Sequence, residues 1–163
     1  MLDCTGNHKF TSEASPQYLT RRETSGVNVA DGMTKVVLSV GPAHTLREAA
    51  RQMSAQRVGA AVVTDPEHSG IGILTERDIL DSVGAGQDPD TELVADHRTA
   101  DVVFAAPDWT LEQAAATMAA GGFRHLVVIE AGEVAGLLSM RDIVRCWSGS
   151  RAPAAGARLP APA

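Results

Sequence analysis

The sequence predicts a mixed α/β fold (α+β-like) built from two β-α-β-β-α repeats packed about a pseudo-two-fold axis. Three observations carry that expectation. An internal repeat spans most of the chain, helix-start signals stand at matching places in both copies, and apolar runs of strand length separate them.

The repeat comes first because it organises the rest. When residues 33–80 are set above residues 98–144, Pro42 meets Pro107, Thr45 meets Thr110, Leu46 meets Leu111, Met53 meets Met118 and Val62 meets Val127, all at one offset. The offset slips by one residue in a loop, after which Leu74, Thr75, Arg77 and Asp78 meet Leu138, Ser139, Arg141 and Asp142. That many matches with a single gap mark a duplicated unit. The expected division is an N-terminal tail (1–26), a first repeat (27–84), a second repeat (85–147) and a tail over 148–163. The last of these is rich in Ala, Pro and Gly, and is expected to be disordered because it has too little apolar surface to offset its ordering entropy.

Within each repeat the elements follow in order. A β run is expected over Val36 to Val40 and over Val102 to Ala105. Thr45-Leu-Arg-Glu48 and Thr110-Leu-Glu-Gln113 read as capping boxes, the Thr accepting from a helix-start N–H while Glu or Gln reaches back. The helices they open place Leu46, Ala49, Ala50 and Met53, or Leu111, Ala114, Ala115 and Met118, on one face, and Gly121-Gly122 is a fitting stop. Apolar runs from Val58 to Thr64 and from Phe123 to Ile129 read as strands. So do Ile71 to Leu74 and Val134 to Leu138, each leading to a final helix opened by Thr75 or Ser139. Neither half is large enough to bury its apolar surface alone, so sheet is expected to pack against sheet.

The closing segments, Gly72-Ile-Leu-Thr75-Glu-Arg-Asp78 and Gly136-Leu-Leu-Ser139-Met-Arg-Asp142, share one pattern: Gly, apolar residues, Thr or Ser, two residues, Asp. Near the start of each repeat stand Val29-Ala-Asp-Gly-Met33-Thr34 and Val94-Ala-Asp-His-Arg98-Thr99, the second with Arg in place of Met. On these motifs the chain resembles a tandem pair of cystathionine β-synthase (CBS) domains, the unit known as a Bateman module, over about residues 27–147. The resemblance implies an adenosine-containing ligand (AMP, ADP, ATP or S-adenosylmethionine) between the repeats, with no required cofactor. It places the ribose hydroxyls on Asp78 or Asp142, polar contacts on Thr75 or Ser139, adenine among apolar residues of the first β run (Val37, Val102), and phosphates on basic residues at the next strand's start (Arg124, His125).

Physical chemistry supports those roles. An ionised Asp accepts from both hydroxyls of a cis-diol. A helix N-terminus offers free N–H groups to a ribose-phosphate. Arg124 binds phosphate bidentately, and His125 does so as pH allows. The matching first-repeat residues, Gly59 and Ala60, carry no charge, while Arg98 and His97 add charge near the second repeat's start. Unequal clefts are therefore expected, the one holding Ser139 and Asp142 being the better phosphate binder and the one holding Thr75 and Asp78 the poorer.

Plainer readings stand beside these. Thr75-x-x-Asp78 and Ser139-x-x-Asp142 are also ordinary capping boxes. Arg77 and Arg141 read as solvated or ion-paired helix-surface residues, and Arg124-His125 reads equally as an edge-strand charge pair. His44 and Trp109 read as loop or packing residues, and His8 and His68 as loop residues. The five histidines and the two cysteines, Cys4 and Cys146, show neither metal spacing nor a disulfide framework. No Ser-His-Asp or Cys-His arrangement and no glycine-rich phosphate loop stands out, and Gly70-Ile-Gly72 belongs to a turn and strand. Catalysis is not expected.

A net charge of −6 argues against nucleic-acid binding, and no apolar stretch approaches a membrane span or a signal peptide. The expectation is a cytoplasmic, homodimeric regulatory module that senses an adenine nucleotide and acts through a partner protein. The alternative is a ligand-free scaffold or dimerisation module.

Overall fold

A computed structural model describes residues 26–65 and 68–149, with His68 and Ser69 described by backbone alone. The expectations for the two tails beyond those residues, together with Cys4 and His8, lie outside the described residues.

The first repeat contains α1 (Val29–Gly32), β1 (Ser39–Val40), α2 (Leu46–Gln56), β2 (Ala60–Asp65), β3 (His68–Thr75) and α3 (Glu76–Gly84). The second repeats the order with α4 (Val94–His97), β4 (Phe104–Ala105), α5 (Leu111–Gly121), β5 (His125–Glu130), β6 (Glu133–Ser139) and α6 (Met140–Trp147). Each repeat forms a three-stranded sheet, β1-β2-β3 or β4-β5-β6, with a parallel first pair and an antiparallel second. The four expected capping boxes are all formed. Thr45, Thr75, Thr110 and Ser139 each accept from the backbone N–H three residues on and receive the return contact at their own N–H.

The sheets are buried on both faces, which explains their unbroken apolar runs. Ala61, Val63 and Leu74 face α2, and Leu126, Val128 and Leu138 face α5 and α6. Alternate residues (Ala60, Val62, Ile73 and Val127) meet between the sheets with Val37, Val102 and Leu137 around them. The expected sheet-on-sheet packing is thus the centre of the molecule.

The leading helices are exchanged. Val29 of α1 lies in the second repeat's core and donates its N–H to the Trp109 carbonyl at 2.8 Å, and Thr34 bridges to Leu137 of β6. Reciprocally, Val94 of α4 is buried in the first repeat's core and donates to the His44 carbonyl, and Thr99 bridges to Ile73 of β3. This crossing accounts for the glycine of each closing motif. A Cβ on Gly136 would stand 2.6 Å from the Met33 sulfur, and one on Gly72 would stand 2.9 Å from Arg98 Cδ.

Four expectations need correction. His68 is not a loop residue, since it opens β3. The first β runs are shorter than Val36–Val40 and Val102–Ala105, because only the last two residues of each pair in register with the central strand, Leu38 adding one contact as its carbonyl accepts from the Val62 N–H. Val36 stands 83% exposed and does not pair. Arg124-His125 is not an edge pair, since β5 is the middle strand of its sheet. His125 is also held below its ordinary pKa of 6.5, by burial first and by Arg124 second, so it enters near neutral pH as an uncharged hydrogen-bonding ring. His44 and Trp109 occupy the expected loop and packing roles, His44 Nδ1 accepting from the Gly41 N–H and Trp109 lying against the second core.

Candidate functional site

The exchange builds two cavities, each lined from both repeats. The first, of about 690 Å³, brings Val37 of the first repeat to Ser139 and Asp142 of the second, with Gly59 and Ala60 opposite Arg124 and His125. The second, of about 430 Å³, brings Val102 to Thr75 and Asp78, and Arg124 and His125 line this one too. Eight of the nine residues singled out from the sequence therefore line a cavity. Arg98 lines neither; its stem lies across Gly72, where its counterpart Met33 lies across Gly136. His97 is engaged with Glu92 at 2.8 Å.

In both cavities the backbone explains the position of the carboxylate. The last strand ends at the cap residue, which turns the chain into a helix and holds the third helical residue against the helix start. Asp78 Oδ2 accepts from Thr75 N–H and Oγ1, each at 2.7 Å. Asp142 Oδ2 accepts from Ser139 N–H at 3.0 Å and from Ser139 Oγ. The cap reading is therefore correct for both motifs, and it leaves one carboxylate oxygen of each residue for other work.

That second oxygen differs between the two sites. Asp142 Oδ1 accepts from Arg145 Nη1 at 2.8 Å, and Asp142 is 8% exposed. Asp78 is half-buried, and its Oδ1 has no partner among the described residues. One helical turn on, at the position matching Arg145, the first repeat carries Asp81.

The surrounding charge differs in the same sense. Arg57, Arg124, Arg141 and Arg145 line the larger cavity, against Glu76 and Asp142. Arg77 and Arg124 line the smaller one, against Asp78 and Asp101. The larger cavity thus carries a surplus of positive charge and the smaller one none. Arg141 and Arg77 are exposed, as expected for helix-surface residues, yet each also faces a cavity.

Sequence reasoning missed Arg57 and Arg145. Both left a signal: Arg145 stands three residues after Asp142 on a helix, a spacing at which opposite charges meet, and Arg57 aligns with the helix-stopping Gly122. Among the described residues, no cluster of three or more His, Cys, Asp or Glu side chains could hold a metal ion. No helix among them is long and apolar enough to cross a membrane.

Comparison with known proteins agrees with the geometry. The CBS domain family model matches residues 27–85 and 94–149. The CBS domain-containing protein CBSCBSPB3 of Arabidopsis thaliana is 33% identical over 143 residues, which make up 86% of this chain but 25% of that protein's length. The solved structure of the CBS-domain containing protein ATU1752 from Agrobacterium tumefaciens is 34% identical with a TM-score of 0.68, covering 74% of this chain and 92% of that one. The CBS domain protein PAE2072 from Pyrobaculum aerophilum, solved complexed with AMP, is 28% identical with a TM-score of 0.65, covering 71% and 89%. A repeated β-α-β-β-α unit with exchanged leading helices, paired closing motifs and these relatives lead to one conclusion: the chain belongs to the CBS-domain family and carries two CBS domains in tandem.

Proposed function

We propose that the chain is a regulatory module that binds an adenosine-containing ligand, AMP, ADP, ATP or S-adenosylmethionine, in the cavity of Ser139 and Asp142. The observation that carries this reading is the convergence there of a helix-start carboxylate, an apolar wall including Val37, and four arginines. Asp142 takes the ribose hydroxyls, Ser139 a polar contact, and Arg124 the phosphate, with His125 as a neutral donor or acceptor beside it. The AMP complex of the similar P. aerophilum protein supports the ligand class.

The module works without catalysis of its own. Ligand binding biases the tilt of one repeat against the other to the extent that the ligand prefers one arrangement, and an effector protein reads that tilt. Self-association is part of the same reading. Leu80 and Val83 on α3, and their counterparts Val144 and Trp147 on α6, are exposed apolar residues, which supports pairing with a second copy. A monomeric mass by light scattering contradicts the homodimer.

One observation favours a second reading, a ligand-free scaffold: Arg145 already satisfies Asp142. A thermal-shift screen against AMP, ADP, ATP, S-adenosylmethionine and GTP separates the two. Ligand at a hundredfold its dissociation constant adds about 2.7 kcal/mol of stability. A shift with an adenine compound supports the sensor. A folded protein that shifts with none of them supports the scaffold.

A further inference from the structure

Helices α2 and α5 end in the same way. In each, the residue just past the last turn adopts the left-handed conformation, and the next N–H reaches back to the carbonyl of Met53 or Met118. In α5 that residue is Gly122, with φ 70°. In α2 it is Arg57, with φ 56° and ψ 40°. An L-residue is disfavoured there by contact between Cβ and the backbone. Strain of this kind points to a use for the side chain, and Arg57 lines the larger cavity, exposed and without an ion-pair partner among the described residues. Gly122 lines the smaller cavity.

Arg145 shows the same asymmetry by another route. It lines the larger cavity, and its guanidinium is held on Asp142. A ribose that takes Asp142 Oδ1 competes with it for that oxygen. An uncharged nucleoside leaves the displaced guanidinium without a partner, whereas a phosphorylated one supplies a new anion within the same cavity. At the matching place in the other repeat, Asp81 can do neither.

We propose that Arg57 and Arg145 set the charge specificity of the Ser139/Asp142 cavity. Arg145 blocks Asp142 against uncharged nucleosides and transfers to the phosphate of an anionic one, while Arg57 supplies a second phosphate contact. The proposal rests on the adenosine-ligand reading above and names the feature of the ligand that the cavity selects, its negative charge.

Calorimetric titration of adenosine, AMP and ATP into the wild type, Arg145→Gln and Arg57→Gly tests it. A charge-assisted contact corresponds to about tenfold or more in affinity, so the wild type prefers AMP and ATP over adenosine by at least that factor. Arg145→Gln binds adenosine more tightly than the wild type and AMP more weakly, so the ratio narrows from both sides. Arg57→Gly loses nucleotide affinity, leaves adenosine unchanged and melts no lower than the wild type, which a merely structural arginine would not do. Equal wild-type affinity for adenosine and AMP, or an unchanged ratio in both variants, overturns the proposal while leaving the adenosine site standing. Failure of all three compounds to bind the wild type overturns the adenosine-ligand reading, and this proposal with it.

Discussion

Helices α3 and α6 start from the same capping box, Thr75 with Asp78 and Ser139 with Asp142, and at the next turn carry Asp81 in one case and Arg145 in the other. The cap fixes where the carboxylate sits, and the residue one turn later decides its state. Asp142 is buried and ion-paired, whereas Asp78 is half-buried with one oxygen unengaged among the described residues. The larger cavity carries surplus positive charge and the smaller is balanced. Duplication has kept the backbone frame while the charged residues diverged. A common frame with different chemistry is what a module needs to treat two clefts differently.

The largest effects should be the symmetric ones. Leu74 and Leu138 are fully buried at matching positions, so Leu74→Ala and Leu138→Ala should each cost about 2–5 kcal/mol in chemical denaturation. A cost confined to one of them would break the equivalence of the two halves.

Removing the caps should begin to separate the halves. Thr75→Ala and Ser139→Ala should each cost about 0.5–2 kcal/mol, measured by thermal or urea melts. Ser139→Ala falls toward the upper end because it strips a donor from the more deeply buried carboxylate. The reverse order would contradict the account of Asp142.

Smaller still, and opposite in sign, is the left-handed position. Arg57→Gly should stabilise by about 0.5–1 kcal/mol, and Gly122→Arg should destabilise by a similar amount, because only glycine meets no Cβ clash there. A loss of stability in Arg57→Gly would mean that the arginine supports the fold.

The last difference is one of pH. Burial holds His125 below its ordinary pKa of 6.5, so the unfolded chain takes up this proton first. The contribution of the neutral ring is whole above pH 6.5 and is lost as pH falls through the folded value. Thermal melts of His125→Gln should lack that part of the pH slope. Ala60, at the matching position, contributes none. An unchanged slope in the variant would show that other groups cause it.

Much of this was legible in the chain. The repeat, the four caps and the central strands follow from residue spacing, the sheet-on-sheet core follows from the small size of each half, and the closing motifs located both carboxylates. The exchange of α1 and α4 was not legible, because periodicity records which residues are buried but not whose core receives them. Val29 and Val94 read identically whichever repeat they join. The first β runs read too long for a related reason. Val36 and Val103 have the apolar character of strand residues, but the chain there is leaving the other repeat and pairs in register with its own sheet only from Ser39 and Phe104 on. Arg57 escaped notice because its signal is a backbone angle, visible only once Gly122 is set beside it.

Under the proposed function, the cavity of Ser139 and Asp142, and not its counterpart, holds the phosphate-bearing ligand. Titration of AMP into the wild type, Asp142→Asn and Asp78→Asn tests it most directly, since Asn keeps the size of the capping side chain and removes the charge. Asp142→Asn should weaken AMP by about tenfold or more, while Asp78→Asn should leave the affinity near that of the wild type. Weakening confined to Asp78→Asn would contradict it.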